Sequence, residues 1–119
     1  MNSIELKQRT KNFALAVIKL VNEIPKTSIN NVFARQILRS STSIGANYRA
    51  ACRSKSKADF IYKIKLVEEE SDETLYWLEL LFESDSIKKE KLRNLLDEAN
   101  QLTAIFSAIS KTSKRYKNS

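Results

Sequence analysis

Apolar or small residues recur along this chain in alternating steps of three and four, in four unbroken runs. The first is Leu6, Thr10, Phe13, Val17, Leu20 and Ile24. The second is Ala34, Ile37, Ser41, Ile44, Tyr48 and Ala51. The third is Phe60, Ile64, Val67, Ser71, Thr74, Leu78 and Leu81. The fourth is Leu92, Leu95, Ala99, Leu102, Phe106 and Ile109. Because about 3.6 residues make a helical turn, each run is one narrow stripe on one helix face. Four such stripes bury one another most simply as an all-α, antiparallel up-down-up-down four-helix bundle.

The breaks between stripes place the helices. The first helix is expected from Asn2 or Ser3, either of which can cap it, to Glu23 or Ile24, where Pro25 removes a backbone donor and clashes with the preceding turn. Ser28 or Asn30 is expected to cap the second helix, which continues to Cys52 or Arg53. Ser56 and Asp59 have the spacing of a capping box and open the third helix, which runs to Phe82 or Glu83. Asp85 or Ser86 is expected to cap the fourth, which runs to about Lys111 and frays through a basic tail at 112–119. Connections this short make neighbouring helices antiparallel and the rod roughly 30–40 Å long. All 119 residues then form one domain.

The second helix is unusual, with Ser40, Ser41, Thr42, Ser43, Gly45, Ala46, Asn47, Ala50 and Ala51 in a stretch of low helix propensity. Small residues there predict close backbone approach to a neighbour. A phosphate-binding loop is excluded, because no second glycine and no Gly-Lys-Ser sequence accompany Gly45. Ser71 and Thr74, polar residues on the third stripe, are expected to bond back to their own helix or across to the second.

Composition narrows the chemistry. One Gly and one Pro leave no turn material for a sheet protein. No apolar run approaches the ~18–20 residues of a membrane span. Glu5, Lys7, Gln8, Arg9 and Lys11 interrupt any leader-like run. The single Cys52 has no internal disulfide partner and suits a reducing cytoplasm, which is the expected location. It reads as a small packing residue. There is no His, so the commonest general base and metal ligand are missing. Glu68, Glu69, Glu70, Asp72 and Glu73 form the one dense carboxylate run. Glu68 is expected half-buried and paired with a cation of another helix. A charged, solvated face accounts for the run better than a catalytic or metal site. No catalytic residue, metal site, cofactor or small-molecule substrate is expected, and the protein is read as no enzyme.

The net charge is +7, from 21 basic and 14 acidic residues. Such an excess either keeps a surface solvated or attracts polyanions. It is clustered. Arg49, Arg53, Lys55, Lys57, Lys63 and Lys65 span the end of the second helix and the start of the third, and Lys111, Lys114, Arg115 and Lys117, with Tyr116, lie in the tail. In an up-down-up-down bundle both clusters fall at one pole. The candidate nucleic-acid contacts are Arg49, Arg53, Lys55, Lys57, Lys63, Lys114 and Arg115. With no sequence-reading motif, binding to RNA or DNA would follow the phosphate backbone and be nonspecific. Tyr62, Tyr76 and Trp77 exceed what one stripe needs and are candidate subunit-interface residues, with Trp77 also suited to plug the groove beside a neighbouring helix.

Gln36 to Ala51 (QILRSSTSIGANYRAA) and Ser56 to Leu81 (SKADFIYKIKLVEEESDETLYWLELL) resemble the 23S ribosomal RNA intervening-sequence proteins, over roughly Ile4 to Ile109. The resemblance implies a four-helix up-down bundle and a homo-oligomeric ring, pentameric in members of known structure. The family takes its name from reading frames inside intervening sequences of 23S ribosomal RNA genes. A related protein assists a reverse transcriptase, where a basic pentamer engages nucleic acid. Two positions depart from the family pattern: Ala50 stands where an acidic residue is expected, and Tyr62 where many members have His. The reading is a cytoplasmic self-associating bundle that touches RNA or DNA through a basic pole. The alternative is a protein–protein adaptor with no nucleic-acid role.

Overall fold

The computed structural model describes residues 1–84 and 87–117. It contains four helices: α1 (Ser3–Glu23), α2 (Ser28–Cys52), α3 (Lys57–Glu83) and α4 (Lys89–Lys117). Among the described residues there is no strand. The molecule measures 50 × 24 × 20 Å, longer than the expected rod because α4 continues past Lys111 to Lys117. No Gly or Pro interrupts that last stretch, its cations suit the negative end of the helix dipole, and the Ser113 hydroxyl donates to the Ile109 carbonyl at 2.8 Å.

The caps explain the boundaries. Asn2 caps α1, its side chain accepting from the Glu5 N–H at 2.9 Å, and Ile24 ends the helix in an extended conformation before Pro25. The cap of α2 is Thr27, not Ser28 or Asn30: its hydroxyl accepts from the Asn30 N–H at 3.0 Å, and Ser28 is already helical. Asn30 is buried and ties down the connection instead, donating to the Pro25 carbonyl at 3.0 Å. Ser56 caps α3 by accepting from the Asp59 N–H at 3.1 Å. The return half of that box is not made, because the Asp59 carboxylate takes Lys63 at 2.8 Å. The expected cap of α4 at Asp85 or Ser86 lies outside the described residues.

The stripes become the core. Of the four runs, only Ala34, Phe60 and Ile109 are less than fully buried, and all three pack against the core. The packing is uneven. α2 packs most extensively on α3, and α3 on α4; α1 meets α2 less extensively, and α1 touches α4 least. Ionic and polar side chains bridge that last seam. Arg9 grips Glu98 through two bonds of 2.7 and 2.6 Å and reaches Gln101 at 2.7 Å, while Lys91 pairs with Glu23 at 3.0 Å.

The polar run of α2 is satisfied by its own helix. Ser40 donates to the Gln36 carbonyl at 2.9 Å, Thr42 to that of Leu38 at 2.7 Å and Ser43 to that of Arg39 at 2.8 Å, and the Asn47 amide donates to the Ser43 carbonyl at 2.9 Å. Hydroxyls that bond back this way tolerate burial, and their small size lets neighbouring helices approach. On α3, Ser71 bonds back to the Val67 carbonyl at 2.8 Å. The Thr74 hydroxyl does both things expected of it, lying 2.7 Å from the Glu70 carbonyl and 2.8 Å from Ser40 Oγ with one proton to share. Gly45 faces α1: a Cβ there would stand 3.2 Å from Thr10 Oγ1 and 3.7 Å from the Thr10 backbone carbon.

Candidate nucleic-acid interface

Two cavities mark one end of the bundle. A crevice of about 550 Å³ is lined by Lys7, Lys11 and Ala14 of α1 and by Thr42, Gly45, Ala46, Arg49 and, at its C-cap, Arg53 of α2. A second, of about 460 Å³, is lined by Cys52, Ser54, Lys55, Ser56 and Lys57 around the α2–α3 connection, and by Ser113 of α4. The start of α1, the end of α2, the start of α3 and the end of α4 therefore meet.

The predicted cations fall into three groups there. Arg49 and Arg53 are exposed and line the α1–α2 crevice. Lys55 and Lys57 are exposed at the connection, with Lys114 and Arg115 exposed near the end of α4. Among the described residues none of these six makes an ion pair. Lys63 is different: it is half-buried and held by Asp59 at 2.8 Å, which pulls that carboxyl below its usual range. Its charge is spent within the helix. The side chains of Tyr116 and Lys117 lie outside the described residues.

Lys7 and Lys11 join this end and were missed in reading the sequence. Both line the crevice beside Arg49 and Arg53, and both are unpaired among the described residues. The signal was present, since the expected up-down course would bring the start of the first helix beside the end of the second.

The acidic run is taken up largely in ion pairs. Among the described residues no group of three His, Cys, Asp or Glu could hold a metal ion. Glu68 pairs within its own helix, with Lys65 at 3.4 Å, which corrects the expected cross-helix pair. The cross-helix partner is Arg39 of α2, which reaches Glu70 at 3.3 Å and Glu73 at 2.6 Å. The two carboxylates respond in opposite senses. The hydrogen bond from Arg39 holds Glu73 below the usual carboxylate range. Burial pushes Glu70 above it, against the attraction of Arg39. Glu73 thus contributes stability above the unfolded carboxylate range, lost as pH falls through its depressed value. Glu70 contributes only below that range, and loses it as pH rises through its own raised value. Glu73→Gln is therefore expected to lower stability at pH 7 by about 0.5 kcal/mol, discounted for exposure, with the difference vanishing near pH 2. Glu70→Gln, which keeps a hydrogen-bond acceptor for Arg39, is expected to hold or raise stability at pH 7. Urea melts at the two pH values check both, and equal losses for the two variants would refute the assignment.

Cys52 is half-buried against the core. Burial, then the neighbouring Cys52, push the Tyr48 phenol well above its ordinary range, so the phenol stays protonated at neutral pH. Of the candidate interface aromatics, Tyr62 and Tyr76 stand in solvent at 63% and 55% exposure. Trp77 is half-buried, its ring centroid 6.4 Å from that of Phe33 on α2 and 5.6 Å from that of Tyr76. It packs between α3 and α2, the groove position expected of it. Among the described residues no helix is long and apolar enough to cross a membrane.

Comparison with known proteins follows the same outline. The sequence model of a family described as "23S rRNA-intervening sequence protein" matches residues 2–108. A similar solved structure is that of a protein with unknown function from the S23 ribosomal protein family of Bacteroides thetaiotaomicron VPI-5482. It shares 34% identity, with 93% of this chain and 99% of that chain covered and a TM-score of 0.84. No curated protein matches the sequence.

Proposed function

The chain belongs to the 23S rRNA-intervening sequence protein family, and we propose on that footing that it acts by binding rather than by catalysis, contacting the phosphate backbone of RNA or DNA through its basic end. The observation that carries this is the concentration at one end of cations unpaired among the described residues: Arg49, Arg53, Lys55, Lys57, Lys114 and Arg115, with Lys7 and Lys11 beside them. The antiparallel up-down-up-down course supports it, because it alone brings two separate sequence clusters together. Arg9 pairing with Glu98 while Glu23 pairs with Lys91 favours that course for α1 and α4, and Phe33 against Trp77 with Ser40 against Thr74 favours it for α2 and α3. The lone Cys52 fits work in the cytoplasm.

Each phosphate neutralised releases condensed counterions, so affinity should fall linearly with salt on logarithmic axes. Anisotropy titrations of labelled RNA and DNA between about 50 and 200 mM salt test this. Micromolar or weaker binding with a steep slope is expected. Undetectable binding at low salt, with a protein partner surviving nuclease treatment in a pull-down, would favour the adaptor instead.

The same reading includes self-association. Its support is the apolar surface left in water: Tyr62 and Tyr76 on α3, Leu15 and Ile18 on α1, and Ile29 and Val32 on α2. Trp77, already packed on Phe33, would contribute only its open edge. Light scattering at micromolar concentration should return the mass of several 13.7 kDa chains, five for the ring that the resemblance implies. The mass of one chain would remove this part of the proposal.

A further inference from the structure

The crevice between α1 and α2 differs from the rest of the basic end. Its described lining residues include four cations and no acid. None of Lys7, Lys11, Arg49 and Arg53 is engaged in an ion pair among the described residues, although Arg9, on the same helix, is fully engaged with Glu98. The floor is made of the smallest side chains of the bundle, Gly45, Ala46 and Ala14. It lies at backbone level where Gly45 meets Thr10. The Thr42 hydroxyl is engaged by the Leu38 carbonyl at 2.7 Å.

A shallow apolar floor between two pairs of free cations suits a ligand that carries regularly spaced anions joined by less polar groups. We propose that this crevice seats one unpaired strand of nucleic acid, one or two nucleotides at a time, with phosphates on Lys7, Lys11, Arg49 and Arg53 and the sugar or base face against Gly45, Ala46 and Ala14. This rests on the reading that the basic end binds nucleic acid, and adds which form of it is preferred. At about 550 Å³ the crevice is in the range of cavities that enclose a small molecule. A duplex keeps its bases stacked inside and offers only its outer phosphates, so it can lie on the end of the bundle but not enter. A charged groove tracking one backbone is the usual arrangement for single strands. Among the described residues no aromatic lines this one, so it lacks the stacking platform such grooves usually add and binding rests on the phosphate contacts. An acidic protein helix would satisfy the same charges. It needs several large apolar contacts for its anchors, however, and Ile4 alone among the described lining residues supplies one.

The test uses the full chain, a dozen-nucleotide oligouridine and a hairpin duplex of equal charge. Ala46 is exposed, so Ala46→Phe fills the crevice without altering charge or core. It should weaken oligouridine binding at least tenfold and change duplex binding less than twofold. Lys7→Gln combined with Lys11→Gln, both on the surface of α1, should also weaken oligouridine binding selectively and lower its salt slope. Unchanged oligouridine binding in both variants, or a parallel loss for both probes, overturns the proposal while leaving the basic end as a binding surface. A wild-type protein that binds neither probe overturns both. A change of mass by light scattering in Ala46→Phe, with oligouridine binding intact, would assign the crevice to a subunit contact and overturn it too.

Discussion

Replacing Phe106 by alanine should cost about 3–5 kcal/mol of folding stability, the largest single effect expected in this protein. Phe106 is fully buried on α4, and its ring centroid lies 5.4 Å from that of Tyr48 on α2, tilted by 57°. α2 and α4 are not neighbours in the ring of helix contacts, so this aromatic pair crosses the centre of the bundle. Removing the ring deletes its transfer energy and leaves a cavity walled by residues held on separate helices. Tyr48 cannot simply turn to fill it, since its own ring is anchored in the core with 6% exposure. A domain of this size has about 5–15 kcal/mol of stability in total, so the variant should sit near the edge of folding. Urea denaturation should show a large drop in midpoint at unchanged slope. A loss below about 1 kcal/mol would mean that the diagonal contact is not formed.

The second large effect concerns binding. Lys55, Lys57, Lys114 and Arg115 are exposed and unpaired among the described residues, so changing all four to alanine should leave the melting curve nearly intact. If the basic end holds nucleic acid, the fourfold variant should bind about a hundredfold more weakly at low salt, and its salt slope should shrink by about three, since each phosphate contact adds about 0.7–0.9. Lys63 is left out because Asp59 already holds it. Arg49 and Arg53 are left out because they line the α1–α2 crevice. The control is Lys26→Ala with Lys88→Ala, in the α1–α2 and α3–α4 connections. Both residues are exposed. Equal losses per charge in variant and control would show that net charge, not its placement, drives binding.

The helices themselves were legible because burial periodicity is a local property of the chain. Pro25 stops α1, and Thr10, Ser71 and Thr74 sit in the seam as their spacing required. Cap choice was less legible. Thr27, Ser28 and Asn30 are all good capping residues within one turn, and only the path of the connection decides that Thr27 is extended while Asn30 turns inward to Pro25. The choice of charge partners was not legible either. Glu70 and Glu73 share a face of α3 while Glu68 points well away from it, so only the rotation of α3 about its axis settles that this face meets Arg39 and that Glu68 is left to Lys65.

The sequence alone determined four amphipathic helices, their lengths to within a few residues, and a cationic excess in two clusters, because each depends on side-chain order within a single segment. Only the tertiary structure decided that Lys7 and Lys11 face Arg49 and Arg53 across an open crevice, that Lys63 is spent on Asp59, and that Phe106 meets Tyr48 across the core. Those facts depend on how far apart two helices stand and how each is turned about its axis. Both are set by the fit of Gly45 against Thr10 and of Ser40 against Thr74, contacts between residues distant along the chain.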